Sequence, residues 1–132
     1  MEELTEKRVW QRVRGDMDPT ERVRAILADQ GQLLGTYRNL SRRGGAWRRL
    51  REQKESQVAC LRGLLRVLTG QGAAQPRCGG AGDLTACFEL ERRLLSELTE
   101  LSRDGEWGGI FAVLLERQRG QCRLVLELLG MG

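Results

Sequence analysis

Four stretches of this chain repeat apolar residues at the helical period, and each is interrupted near its middle by a long polar side chain. Residues three and four apart share one face of a helix, so each stripe marks the side expected to be buried. The first stretch, about 19–42, carries Val23, Ile26, Leu27, Leu33, Leu34, Tyr37 and Leu40, with Gln30 between them. The second, about 46–69, carries Trp47, Leu50, Val58, Leu61, Leu64, Leu65 and Leu68, broken by Lys54 and Gln57. The third, about 84–102, carries Leu84, Cys87, Phe88, Leu94, Leu95, Leu98 and Leu101, with Glu91 inside. The fourth, about 107–129, carries Phe111, Leu114, Cys122, Val125, Leu128 and Leu129, with Gln118 and Gln121 inside. Four amphipathic helices with no strand pattern between them predict an all-α bundle.

Punctuation supports these bounds. Asp18-Pro19-Thr20-Glu21 reads as an N-cap, a first-turn proline and an N3 glutamate. Gly44 and Gly45 end the first helix, Gly70 ends the second, and Asp83 caps the third. Residues 70–83, "GQGAAQPRCGGAGD", form a linker. Its 14 residues reach roughly 46 Å when extended, whereas a 22-residue helix is about 33 Å long. The linker can therefore run the length of a bundle and act as a crossover between two helical hairpins. A chain of 132 residues supports one core. Residues 17–132 are expected to form that domain. Residues 1–16, with "RVWQRV", are expected to add a short helix whose Trp10 and valines dock on it.

The two halves resemble repeats. A shift of 61 carries Leu33, Leu34, Leu40 and Ser41 onto Leu94, Leu95, Leu101 and Ser102. A shift of 64 carries Trp47, Leu50, Leu61, Leu64 and Leu65 onto Phe111, Leu114, Val125, Leu128 and Leu129. The same shifts carry 30 onto 91, 54 onto 118 and 57 onto 121. Each odd helix thus has one polar interruption, and each even helix has a pair spaced i, i+3. Long polar side chains at stripe edges often snorkel to solvent; paired placement predicts instead that all six meet near the bundle centre.

In this pattern the chain resembles the ferritin-like, rubrerythrin-like superfamily. There each odd helix supplies a Glu and each even helix a Glu-x-x-His, which together hold two metal ions. Gln30 is followed seven residues later by Tyr37, as the first-helix Glu is by a Tyr in rubrerythrins. "LREQKESQVACL", residues 50–61, has the frame of the family's second helix, with Lys54 at the Glu position and Gln57 at the His position. The resemblance covers about 19–129 and implies a ferritin-like four-helix bundle. It also implies a degenerate metal site, because Glu91 alone keeps a ligand residue among positions 30, 54, 57, 91, 118 and 121. Like-charged ligands left without metals would repel one another. Amides at Gln30, Gln57, Gln118 and Gln121 remove that charge, and the Lys54 cation beside Glu91 replaces the metal's. A neighbouring frame using Glu55 and Glu116 stays open.

Function follows in outline only. The chain has no histidine, which excludes Ser-His-Asp and Cys-His catalysis and any histidine-ligated zinc. No phosphate-loop motif appears. The leading expectation is a non-catalytic interaction or structural module, without metal or cofactor, acting on an unknown protein partner or on itself. The alternatives are an enzyme or binding protein with a residual metal or small-molecule site in the core, and a nucleic-acid binder. The net charge of +4 comes from arginines densest at Arg42, Arg43, Arg48, Arg49 and Arg51. Interspersed acids, as in "ELERRLLSELTELSRDGE", argue against a nucleic-acid footprint. No apolar run reaches membrane-spanning length, and "MEELTEKRVW" lacks the apolar core of a signal peptide, so a cytoplasmic location is the expectation. Cys60 and Cys122 are expected as small core residues. Cys78 and Cys87 flank the linker, where a disulfide would suit the spacing but not a reducing compartment.

Overall fold

The computed structural model describes residues 19–80, 82–103 and 105–131. The expected N-terminal helix over 1–16 and the Asp18 cap lie outside these. All regular structure among the described residues is helical. Four long helices follow in order: α1 (Thr20–Leu40), α2 (Gly45–Thr69), α3 (Leu84–Leu101) and α4 (Gly108–Met131), with a 3₁₀ turn at Ser41–Arg43.

The boundaries lie within two residues of those read from the stripes. α1 tightens into its 3₁₀ turn and reverses at Gly44, whose φ is 143°. α2 stops at Thr69, where the Gly70 N–H donates to the Arg66 carbonyl at 2.8 Å. Asp83 caps α3 as its side chain accepts from the Ala86 N–H at 2.9 Å. Each cap satisfies backbone groups that a helix end would otherwise leave unpaired.

The stripes face one another in a single core. Val23, Leu33, Leu50, Cys87, Phe111 and Val125 are fully buried in it. Leu40, Trp47, Phe88 and Leu95 pack at its margin. α1 packs mainly on α2, and α3 on α4; α2 with α4 and α1 with α3 close the ring. The directions follow from paired residues. Leu27 faces Leu65 across a surface cleft while Arg38 approaches Glu55, so α1 and α2 are antiparallel. Arg22 reaches Glu97 and Glu100 while Tyr37 meets Glu91, so α1 and α3 are antiparallel too. Consequently α2 and α3 run the same way, and the linker must travel from one end of the bundle back to the other.

It does so along α1, in a notch cut by two glycines. A Cβ on Gly31 would stand 2.7 Å from the Arg77 carbonyl oxygen and from Pro76 Cβ; one on Gly35 would stand 2.7 Å from the Cys78 carbonyl oxygen. Gly79 lies over Gln32, and Gly80 over Thr36. Arg62 of α2 holds the near part of the strap, its Nε and Nη2 donating to the Ala73 carbonyl at 3.1 and 2.9 Å.

One cysteine departs from expectation. Cys60 is exposed, because it precedes Leu61 and is rotated about 100° from the stripe. Cys122 and Cys87 are buried, Cys78 is exposed, and all four are free thiols.

The notch is testable by opposed substitutions. Alanine in a helix interior gains roughly 1 kcal/mol over glycine. At Gly31 or Gly35 the methyl would strike linker backbone, and overpacking costs about 1–3 kcal/mol. Gly31→Ala and Gly35→Ala should therefore lower stability in urea unfolding. Gly120→Ala in α4, whose nearest neighbour is the Arg123 guanidinium at 3.9 Å, should raise it. Stabilisation by all three would mean that the strap does not seat in the notch.

Candidate functional site

The six polar interruptions are all buried. Lys54, Glu91, Gln118 and Gln121 have no solvent exposure, and Gln30 and Gln57 have 1% and 3%. None snorkels. Each lies mid-helix on an otherwise apolar stripe, so the packing that buries its neighbours buries it too.

Five of the six converge on the Lys54 ammonium and the Glu91 carboxylate. Lys54 Nζ donates to Glu91 Oε1 at 2.8 Å, to Gln57 Oε1 at 3.0 Å and to Gln30 Oε1. These bonds use all three ammonium protons. Glu91 Oε1 also accepts from Gln118 Nε2 at 2.7 Å, and Glu91 Oε2 accepts from the Tyr37 hydroxyl at 2.7 Å. Gln118 Nε2 lies 2.8 Å from the Glu91 backbone carbonyl as well, and Gln30 Nε2 donates to Gln118 Oε1 at 3.3 Å. The network touches every helix. Lys54–Glu91 joins α2 to α3, and Gln30–Gln118 joins α1 to α4. These are the diagonal pairs, whose backbones make little contact.

Two positions depart from the sequence pattern. Gln121 stands apart: its Nε2 donates to the Leu50 carbonyl at 3.1 Å, and its Oε1 has no partner among the described residues. The 57/121 correspondence holds in burial but not in bonding. Tyr37 is a full member of the network although its stripe position reads as core. A phenol seven residues from Gln30 was the available signal, since a buried Tyr hydroxyl needs a partner. Glu55 and Glu116 lie on the surface. Glu55 meets Arg51 at 3.0 Å and Glu116 meets Arg119, so the neighbouring frame does not face the core.

Burial pushes Lys54 below the ordinary lysine range, against the opposing pull of the Glu91 charge. Burial and then Glu91 push Tyr37 well above the ordinary phenol range. Burial alone is the largest cause that lifts Cys87 to about 11, and it lifts Cys122 in the same direction.

The donor set does not fit a pair of divalent metal ions. It offers one carboxylate, neutral amides and an ammonium at the centre, where a metal needs anionic oxygen or imidazole. Among the described residues no three His, Cys, Asp or Glu side chains gather elsewhere. The arginine-rich stretch lies at the α1–α2 turn. Arg42, Arg48 and Arg49 are exposed there, Arg43 covers the Trp47 ring at 5.3 Å, and Arg51 pairs with Glu55. No described helix is long and apolar enough to cross a membrane. Compared with family models, curated proteins and solved structures, the chain matches none.

Removing one partner of a buried ion pair costs about 3–5 kcal/mol, whereas replacing both with apolar residues of similar size can be nearly neutral. Lys54→Met and Glu91→Leu should each destabilise by that order, and the double variant should recover much of the loss. A double-mutant cycle in urea measures the coupling; small additive effects would contradict the buried pair.

Alkaline pH provides a second test. The folded state holds the Tyr37 proton above the ordinary 10.0, so the stability it contributes is full below pH 10 and is lost as pH rises further. Cys87 and Cys122 act in the same direction from their ordinary 9.0. Lys54, lowered from 10.5, acts in the opposite direction up to that pH. Stability should fall overall above pH 9. The difference between wild type and Tyr37→Phe should shrink above pH 10 by about 1.4 kcal/mol per pH unit, read from urea midpoints. A pH-independent difference would place the phenol in contact with solvent.

Proposed function

We propose that this chain is a ferritin-like four-helix bundle whose metal-ligand positions now hold a self-contained polar network, and that it acts through its surface as a non-catalytic interaction or structural module. The observation that carries the reading is the position of Lys54 Nζ. It lies within hydrogen-bonding distance of residues at three other ligand positions, Gln30, Gln57 and Glu91. A covalently attached cation there takes the electrostatic role of a metal ion. Support also comes from the crossover along α1, which keeps two antiparallel hairpins in an arrangement known for such bundles. The buried network leaves no histidine, no accessible nucleophile and no free general base at its centre. A surface role is what remains for a bundle of this kind.

Metal analysis and reversion test the reading together. The purified chain should carry no stoichiometric iron, manganese or zinc. A variant with Gln30→Glu, Lys54→Glu, Gln57→His, Gln118→Glu and Gln121→His, keeping Glu91, should bind about two Co²⁺ or Fe²⁺ ions per chain, as ferritin-like ligand sets do. Its melting temperature should rise with metal, because binding to the folded state stabilises it. About two ions in the unaltered chain would overturn the loss of the site. A folded revertant that binds none would overturn the ferritin-like register.

A further inference from the structure

Two cavities open on the face between α2 and α4, and Arg117 lines both. The two helices run antiparallel there: Cys60 meets Arg117, and Leu50 meets Gln121. The first cavity is a groove of about 350 Å³ over Leu64 and Leu114. Its walls are apolar side chains that stand in solvent: Val67 is 70% exposed, Val113 56% and Ile110 44%. The second cavity, about 270 Å³, is bounded by Gln53, Ser56, Gln57, Arg117 and Gly120.

The polar cavity presents hydrogen-bond donors that lack acceptors. Gln57 is only 3% exposed, and its Oε1 accepts from the Lys54 ammonium. An ammonium can only donate, so the amide oxygen is the inward end and Nε2 is left for the cavity that Gln57 lines. That nitrogen has no hydrogen-bond partner among the described residues. Arg117 spends Nη1 on Cys60 Sγ at 2.9 Å, and its other N–H groups have no partner among the described residues. Ser56 adds a hydroxyl. Arg123 Nη2 lies 3.9 Å from where a Cβ on Gly120 would stand, so a second cation sits at the rim. Among the described residues no Asp or Glu lines either cavity, and Glu116 is held by Arg119. Free donors gathered around a guanidinium suit an oxyanion.

The adjoining groove indicates what that oxyanion is attached to. Ile110 to Arg117 is seven residues, about 10 Å of helix. An extended chain advances roughly 3.6 Å per three backbone bonds, so about eight bonds fill the groove. An inorganic anion would leave Val67, Ile110 and Val113 in water, whereas an alkyl chain leading from the anion would cover them.

We propose that this face binds a medium-chain alkyl carboxylate, with its carboxylate among Arg117, Ser56 and Gln57 Nε2 and its chain along Val67, Ile110 and Val113. The site depends on the α2–α4 face alone and is independent of the ferritin-like register.

Isothermal titration of the full chain with sodium octanoate should show one site with Kd below about 1 mM. Hexanoate should bind at least about fourfold more weakly and decanoate correspondingly more tightly, since each buried methylene is worth up to about fourfold. Dodecanoate should gain little more, because its end leaves the groove. Octanol keeps the chain but lacks the charge, and should bind at least about tenfold more weakly than octanoate. These comparisons need only the unaltered chain. Arg117→Met should remove the preference for octanoate over octanol, and Val113→Asp should abolish binding of both. Both side chains are exposed, so an unchanged melting temperature should accompany each loss. With octanoate at ten times its Kd, iodoacetamide should alkylate the exposed Cys60 about tenfold more slowly by mass action, and the exposed Cys78 on the linker at its former rate. Absence of saturable binding, equal affinity for octanol and octanoate, or a steady gain past decanoate would each overturn the proposal. Cys60 already shielded in the ligand-free chain would assign the face to a macromolecular cover and overturn it equally.

Discussion

A lysine and a glutamate that meet fully buried in the core set the terms for everything around them. Neither charge tolerates burial alone, so the Lys54–Glu91 contact at 2.8 Å fixes how far apart α2 and α3 stand and how they are rotated. These helices are diagonal in the bundle, and their backbones do not otherwise pack closely. Gln30 and Gln57 take the other two ammonium protons, and Gln118 and Tyr37 donate one bond to each carboxylate oxygen. Amides suit this role because each both donates and accepts without adding charge. The network has one cation and one anion and needs no outside ion for balance. Such a network contributes more to the uniqueness of packing than to net stability, since well-packed apolar residues could replace it at little loss.

Much of this arrangement was legible beforehand. Helical periodicity located the four helices, because each has a continuous stripe and recognisable punctuation. The six central positions stood out because polar residues recurred at matching places in two halves, a pattern that chance snorkelling does not produce. What periodicity cannot convey is which partner a long side chain selects. Gln121 occupies the place equivalent to Gln57, yet its Nε2 donates to the Leu50 backbone carbonyl, one turn from Lys54 on α2, and not to any member of the central network. Tyr37 reads as an apolar stripe residue, and only its hydroxyl, positioned by the α1–α3 packing, makes it a ligand of Glu91. Cys60 was expected inside on the strength of its residue type, but its helical phase places it outside.

The glycines of α1 were less legible still. Gly31 and Gly35 sit within a strong helical pattern, where glycine is usually a small cost tolerated for some other reason. Their reason is the linker, which crosses directly over them. Residues 70–83 are long enough to span the bundle, but their length does not say which helix they lie against. The answer depends on a close approach of backbone to backbone, and the spacing of four between the two glycines is its only trace.

That seat has no counterpart in the second half of the chain. Under the shift of 61 that aligns α1 with α3, Gly31 falls on Arg92 and Gly35 on Ser96. Two hairpins of similar outline could in principle trade places, or pair with the hairpin of a neighbouring molecule, which is how helical bundles commonly exchange parts. Here the strap fits one helix and is turned away by the other. Exchange between molecules would pull the strap out of its notch and expose the carbonyls of Arg77 and Cys78 that lie against it. The asymmetry thus guards against domain swapping and gives a nearly symmetric chain one way to close on itself.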